Sequence, residues 1–243
     1  MAAPEPQVTT AATYTPVLTD LLRLIRAPFA PHGVFEEQRD KPTFWLPWIV
    51  LSALFALVMV FMLPISIQVA RAAAAAKGSP LPDAALGIIK ISTLVGPAIG
   101  LLIGVLISAV VLYFALMITG AEARFKGLMT VSIFVAPITV LQTAITTLML
   151  RMRGVESIQS PADAQQSLGL DLLFPVDFTQ AHRALAALLK GIGPFEIWAL
   201  VITALGLMAL EKVPKNKAWT AAVVSFVIGL LIRAGSTLIF KAG

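Results

Sequence analysis

The stretch 118–150, ITGAEARFKGLMTVSIFVAPITVLQTAITTLML, decides the fold. Its polar break, residues 119–127, carries Glu122, Arg124 and Lys126. The apolar run that follows, 128–150, contains no charged residue, and neither does the run 91–118 that precedes the break. Each run is long enough to cross ~30 Å of hydrocarbon as an α-helix. The stretch therefore predicts a transmembrane helical hairpin closed by a tight basic loop.

The composition also indicates a membrane protein. Of the 243 residues, 58% are hydrophobic and only 13% are charged, whereas soluble domains carry about 25% charged residues. The net charge of +5 comes from basic residues that flank apolar runs, so anionic lipid headgroups explain it better than nucleic acid does. The chain has no cysteine, which excludes disulfides, thiolate nucleophiles and cysteine-based metal sites.

Five apolar runs predict transmembrane helices, at about residues 44–68, 91–118, 128–150, 195–210 and 218–240. Together they predict an all-α, polytopic membrane domain over residues 44–243. Residues 1–16 are rich in Ala, Pro and Thr, and we expect them to form a disordered tail. In the long loop 151–193, Asp177 or Thr179 is a candidate cap for a surface helix over 180–189.

Residues 17–43 are expected to form an interfacial amphipathic helix and a charged lead-in to the first span. Leu18, Leu21, Leu22 and Ile25 recur at the spacing of one helical face, and Pro28 ends the pattern. A helix of this kind lies in the membrane interface with its apolar face in lipid. The alternatives are a helix that docks on a partner and a buried soluble helix.

Small residues recur every four positions in the second predicted span, at Gly96, Gly100, Gly104 and Ser108. This spacing puts them along one side of a helix, where another helix can approach closely. The strip therefore predicts a helix-packing seam. An oligomer of the chain is compatible with such a seam.

Basic residues in short loops indicate the orientation. The two tightest loops, 119–127 and 211–217, hold two and three basic residues. Five spans put both loops on the same side as the N-terminus. We therefore expect a bacterial inner-membrane protein with a cytoplasmic N-terminus and an external C-terminus. Its candidate cytoplasmic contact surface, for anionic lipid or a protein partner, consists of Arg124, Lys126, Lys212, Lys215 and Lys217.

Two charged residues fall within predicted spans. Glu196 stands 18 residues before Pro214 and Arg233 stands 19 after it, so an antiparallel hairpin brings them to nearly the same depth. Because an unpaired charge at depth costs several kcal/mol, we expect a structural Glu196–Arg233 ion pair near the outer leaflet. The alternative is that Arg233 snorkels to the outer interface while Glu196 faces water.

Motifs of membrane enzymes are absent from the sequence. There is no HExxH metal site, dinucleotide fingerprint or phosphate-binding loop. Every aspartate and both histidines, His32 and His182, lie outside the predicted spans. We therefore expect no enzymatic activity, metal or cofactor.

Three stretches resemble the bacterial branch of the Yip1 family of small polytopic membrane proteins. The first is RAPFAPHGVFEEQRDKPTFW at 26–45, and the second is ITGAEARFKGLMTVSIFVAPITVL at 118–141, with its mid-helix proline. The third is GPFEIWALVITALGLMALEKVPKNKAW at 193–219. The chain departs from the family pattern at Thr119-Gly120, where two glycines are common, and at Pro194-Phe195, where an acid often precedes the Phe.

The resemblance implies five membrane helices and a cytoplasmic N-terminus. Eukaryotic members are tied to vesicle traffic and to small Rab-type GTPases, but their DLYGP-type motif is not found in this chain. The leading hypothesis is a non-enzymatic membrane protein that organises the bilayer or binds a partner. The alternative is a small-solute or ion permease, with Glu196, Arg233, Gln142 and Lys90 lining an outward-facing cavity.

Overall fold

A computed structural model describes residues 16–164, 168–173 and 183–239. Residues 1–15 of the tail expected over 1–16, both candidate cap residues at 177 and 179, and the end of the fifth span at residue 240 lie outside these ranges. The described part of the chain contains helices and no strand. Its α-helices are α1 Pro16–Arg26, α2 Pro31–Glu37, α3 Trp45–Ala76, α4 Asp83–Ile118, α5 Phe125–Val135, α6 Pro137–Arg153, α7 Arg183–Lys190, α8 Pro194–Glu211 and α9 Lys215–Ile239.

Five helical segments are long and apolar enough to cross a membrane, which confirms the predicted all-α polytopic class. They are α3, α4, the pair α5–α6, α8 and α9. The first runs from Trp45 to Ala76 and the second starts at Asp83, so both extend beyond the apolar runs of the sequence. The third is divided at Pro137, where the ring removes a backbone donor and breaks the regular ladder.

The loops define the two ends of the bundle. The short-loop end carries loops 119–124 and 212–214, and the long-loop end carries loop 77–82 and the described residues 154–164, 168–173 and 183–193. At the short-loop end, Gly120 and Lys212 adopt left-handed backbone conformations, with φ of 66° and 55°. These residues terminate α4 and α8 sharply, so the next helix of each hairpin can start within a few residues.

Apolar side chains close the bundle in its short-loop half. Helices α4, α5, α8 and α9 meet there in one cluster, in which every member is buried. The cluster contains Leu112, Leu116, Leu128, Leu207 and Ala218 among others. The close packing of these side chains fixes how the α4–α5 and α8–α9 hairpins lie against each other.

The N-terminal segment packs into the bundle as a helical hairpin, α1–α2. Val34 and Phe35, in the segment interpreted from sequence as a charged lead-in, are completely buried. The Phe35 ring meets Phe134 of α5 at a centroid distance of 6.3 Å. It also lies where a Cβ on Gly206 of α8 would sit 2.9 Å from it, so the glycine makes room for the ring.

Helix α7 and the segment 168–173 pack at the long-loop end. α7 lies against α9, and the amide of Leu170 donates to the carbonyl of Ile192 at 2.9 Å. Gly191 contacts the Leu230 side chain of α9 so closely that a Cβ there would overlap it. This arrangement holds the start of α8 against α9.

Candidate functional site

A polar cluster of three side chains lies near the long-loop end of the bundle. Gln142 of α6 donates from Nε2 to Glu196 Oε1 of α8 at 3.0 Å. Arg233 of α9 places Nη1 3.6 Å from the same Oε1. The Glu196 side chain is only 12% exposed, whereas the Arg233 side chain is 58% exposed. The cluster thus joins three transmembrane helices at a nearly buried carboxylate.

The second carboxylate oxygen of Glu196 is differently placed. Glu196 is the third residue of α8, after Gly193 at the N-cap and Pro194 at the first position. A glutamate at this position can reach back to the backbone N–H of the cap residue, and Oε2 does lie close to Gly193. Even so, Oε2 is buried and forms no hydrogen bond with any residue that the structure describes.

The cluster lines a cavity of about 290 Å³ within the bundle. From Glu196 and Arg233 the cavity extends to Ser108 of α4 and Thr203 of α8, a depth of roughly 10 Å along α8 at ~1.5 Å per residue. The Thr203 hydroxyl donates to Ala199 of its own helix at 2.8 Å, which reduces the polarity of that wall. The apolar part of the wall comes from α5, α6, α8 and α9, through Val135, Ile138, Leu200, Phe226 and Leu230.

Lys90, expected from the sequence to line the same cavity, is not among its lining residues. It is exposed near the start of α4, away from Gln142, Glu196 and Arg233. The register between α4 and the other helices, which decides what it faces, depends on packing.

The small-residue strip of α4 is exposed over most of its length. A Cβ added to Gly96, Gly100 or Gly104 would meet no atom of the described residues within 4 Å. Ser108, the last of the four, contacts Ser132 of α5 at 3.2 Å and lines the cavity. In the described part of the chain the three glycines have no facing helix, so the seam stays a prediction for a helix of another molecule.

Charged side chains tie the loops together at the short-loop end. The Glu211 carboxylate, 4% exposed, accepts hydrogen bonds from the Arg124 guanidinium and from the Arg124 backbone N–H at 2.8 Å. The hydrogen bonds and charge of Glu211 raise the pKa of the Arg124 guanidinium. Arg39 donates to the Ala209 carbonyl at 2.6 Å. The end of α8 is thereby tied to the start of α5 and to the segment that follows α2.

The five basic residues of the expected contact surface therefore differ in their surroundings. Arg124 is bound to Glu211, and Lys217 donates from Nζ to the Gly120 carbonyl at 2.8 Å. Lys126, Lys212 and Lys215 are exposed. The sequence missed Glu211 as a partner because it stands 87 positions from Arg124.

Helix α1 has one buried face and one exposed apolar face. Leu24 and Ala27 are buried against the bundle, and so is Asp20, which pairs with Arg23 at 3.1 Å. The opposite face of α1 exposes Leu18, Leu22 and Ile25, with exposed fractions of 38%, 40% and 55%, and Phe29 in the turn after α1 continues this face with 73% exposed. Leu18, Leu22 and Ile25 belong to the face that the helical periodicity predicts.

Comparison with known proteins agrees with this architecture. The Yip1 domain family model matches residues 25–235, a range that includes α2 and the five spans but only the last two residues of α1. "Membrane protein YknW" of Bacillus subtilis (strain 168) is 22% identical over 207 residues, which cover 84% of each chain. No solved structure matches the chain significantly. With five membrane-spanning helices and a family match over most of its length, the chain belongs to the Yip1 domain family of membrane proteins.

Proposed function

We propose that this protein organises the bilayer around it by holding the α1–α2 hairpin, inserted from the cytoplasmic side, against its five-helix bundle. In this proposal the short-loop end faces the cytoplasm, where basic short loops are favoured. The observation that carries the proposal is the exposed apolar face of α1, formed by Leu18, Leu22 and Ile25 and continued by Phe29 in the following turn.

The depth of the hairpin supports contact between this face and lipid tails. The turn between α1 and α2 is bonded to Trp198 through the Pro28 carbonyl. Trp198 precedes Glu211, at the short-loop end of α8, by about 20 Å at ~1.5 Å per residue. The apolar face therefore lies at a depth where hydrocarbon surrounds the bundle. A helix inserted on one side of a bilayer expands that leaflet relative to the other.

Exposed basic residues support attraction to anionic headgroups on the same side. Lys41, Lys126, Lys212 and Lys215 are all exposed at the short-loop end. Each basic residue near an anionic surface contributes about 1 kcal/mol. The hairpin and the lysines together favour a protein that gathers anionic lipid and expands its cytoplasmic leaflet.

Reconstitution into vesicles that contain anionic lipid tests the proposal. Cryo-electron microscopy measures vesicle diameter and tubule content at fixed ratios of protein to lipid. We expect the wild-type protein to lower the mean diameter or to form tubules. The double variant Leu22→Gln/Ile25→Gln makes the lipid-facing side of α1 polar, and we expect it to lose this effect.

A matched control is the double variant Met117→Gln/Ile118→Gln. These two residues are exposed apolar side chains at the same end of the bundle, but they lie at the end of a spanning helix rather than on the hairpin. We expect this control to behave like the wild type. If the wild-type protein leaves vesicle shape unchanged, or if both double variants act alike, the proposal fails and the α1 face is better assigned to a protein partner.

A permease is a second candidate, because the cavity at Glu196 reaches well into the bundle. The buried apolar cluster of the short-loop half lies between this cavity and the cytoplasmic side, so passage requires a second conformation. Uptake of solutes by proteoliposomes, compared with a folded Glu196→Gln variant, tests this candidate. Uptake that depends on Glu196 supports a permease, and equal uptake by both proteins removes it.

A further inference from the structure

We propose that the cavity at Glu196 binds the headgroup of an aminophospholipid, with the lipid's ammonium on the Glu196 carboxylate and its phosphate beside Arg233. This site is separate from the α1 face that carries the proposed function. No residue of the α1–α2 hairpin lines this cavity, so each proposal stands or falls on its own experiment.

The first reason is the hydrogen-bonding capacity of Glu196. Gln142 and Arg233 both approach Oε1, while Oε2 is buried and has no hydrogen-bond partner among the described residues. Buried polar atoms are almost always hydrogen-bonded, and a carboxylate at membrane depth needs donors to offset its desolvation. In this proposal a change of the Glu196 rotamer turns Oε2 from Gly193 towards the cavity that the residue lines, where a ligand N–H donor completes its hydrogen bonding.

The second reason is the position of Arg233 at the mouth of the cavity. Its guanidinium is 3.6 Å from the Glu196 carboxylate, and more than half of its side chain is exposed. Arginine donors form paired hydrogen bonds with phosphate oxygens. The site thus presents an anion inside and a cation at the mouth, which matches a ligand that carries an ammonium and a phosphate close together.

The third reason is the apolar wall of the cavity. Most of the lining is hydrocarbon, from Leu200, Phe226 and Leu230 among others. At about 290 Å³ the cavity is near the lower limit of ligand pockets, which suits a headgroup with the first part of an acyl chain. A free polar solute would leave this wall without apolar contacts, whereas a lipid fills it.

The donor requirement predicts which lipid binds. Phosphatidylethanolamine offers three N–H donors on its ammonium. Phosphatidylcholine has the same charges but a quaternary nitrogen that cannot donate, and phosphatidylglycerol has no cation. Binding should therefore follow the N–H donor rather than net charge or chain length.

Native mass spectrometry of the purified protein tests the inference with four probes of known composition. These are phosphatidylethanolamine, phosphatidylcholine and phosphatidylglycerol with identical chains, and glycerophosphoethanolamine, which has no chains. We expect the wild-type protein to retain phosphatidylethanolamine above the other three. The Glu196→Gln variant should bind it at least about tenfold more weakly, the effect of losing a charged hydrogen bond.

A second pair of variants keeps the test valid if Glu196→Gln folds poorly. Gly229 lines the cavity, and a Cβ there meets nothing within 4 Å, so Gly229→Leu has room for its first carbon and places the rest of its side chain in cavity space. Gly87→Leu is the control, because Gly87 has equally open surroundings and lies outside the cavity. We expect loss of the lipid from the first variant only.

Three outcomes would overturn the inference. Equal retention of the ethanolamine and choline lipids removes the N–H donor argument. Unchanged retention in both Glu196→Gln and Gly229→Leu places the lipid elsewhere. Binding of glycerophosphoethanolamine as tight as that of the whole lipid assigns the cavity to a soluble solute, as a permease requires.

Discussion

Trp198 donates its indole N–H to the carbonyl oxygen of Pro28, with 3.0 Å between Nε1 and O. The two residues stand 170 positions apart, and Pro28 lies in the turn between α1 and α2. The neighbouring Phe29 ring packs on Trp198 at a centroid distance of 5.5 Å. The bond and the ring contact together fix the tip of the N-terminal hairpin to α8.

The Trp198→Phe variant should loosen this tip without unfolding the bundle. Phenylalanine retains the ring packing on Phe29 but removes the N–H, and a typical hydrogen bond contributes about 1 kcal/mol net. Because the chain has no cysteine, an added Ala27→Cys, at a fully buried position next to the bond, reports on loosening of the turn through its rate of maleimide labelling. We expect labelling to accelerate by about fivefold, which corresponds to that free energy.

Trp219→Phe in α9 is the control for this measurement, and its labelling rate should match that of the parent protein. If Trp198→Phe also labels at the parent rate, the indole bond does not hold the turn.

The sequence predicted the spans well because each span is long, apolar and almost free of charge. It did not predict how the hairpin docks. Val34 and Phe35 are only two apolar residues among charged neighbours, too few to show a helical period. Their burial depends on a space beside Gly206, and a single sequence does not show which helices will face each other.

The polar cluster was predictable in part for a similar reason. Glu196 and Arg233 stand at nearly equal distances along the chain from the turn at Pro214, which predicts that they lie at nearly the same depth. In the structure the two side chains are 3.6 Å apart. The permease alternative groups Gln142 with them, and Gln142 Nε2 does lie 3.0 Å from Glu196 Oε1. The same alternative includes Lys90, which does not line the cavity. The sequence could not separate the two residues, because the offset between hairpins is set by side-chain packing.

The single variant Arg124→Gln should destabilise the protein more than the double variant Arg124→Gln/Glu211→Gln. In Arg124→Gln the Glu211 carboxylate, 4% exposed, loses its guanidinium and remains buried. We expect a loss of about 1–3 kcal/mol, since a buried group is left short of partners. The double variant Arg124→Gln/Glu211→Gln should recover part of this loss because the buried charge is gone.

Thermal unfolding in one detergent, with all four members of the double-mutant cycle, measures the coupling between Arg124 and Glu211. Glu122→Gln, an exposed acid in the same loop, controls for a general change of charge. Strictly additive effects of Arg124→Gln and Glu211→Gln would show that the pair is not coupled.

The Gly127→Ala variant should break the contact between Arg124 and Glu211 by displacing the Glu211 side chain. A Cβ at this position would overlap the Glu211 carboxylate, so Gly127→Ala forces Glu211 away from Arg124. We expect a destabilisation of about 1–3 kcal/mol, typical of overpacking, even though alanine is the better helix former. Thermal unfolding measures the change, with Gly87→Ala as the control in open surroundings.

The variant Glu211→Ala tests whether the clash with the Glu211 carboxylate causes the destabilisation. Combined with Glu211→Ala, Gly127→Ala should cost little further stability, because the group it strikes has been removed. An equal cost in both backgrounds would contradict the proposed clash.

The exposed glycine strip on α4 should affect association between copies of the chain rather than the stability of one copy. A Cβ at Gly100 or Gly104 meets nothing within 4 Å in the described residues, so Gly100→Leu/Gly104→Leu should fold without a clash. Replacing glycine within a helix also removes a penalty of about 1 kcal/mol per residue. The unfolding temperature should therefore stay the same or rise.

Close approach of a second helix requires small side chains, so the same double variant should lower the dimer fraction. Single-molecule photobleaching in vesicles measures that fraction, and Gly87→Leu on the same helix is the control outside the strip. A dimer fraction that falls only in the Gly100→Leu/Gly104→Leu variant assigns the strip to a contact between copies. An unchanged fraction, with wild-type dimers present, means that the copies meet elsewhere and that lipid covers these glycines.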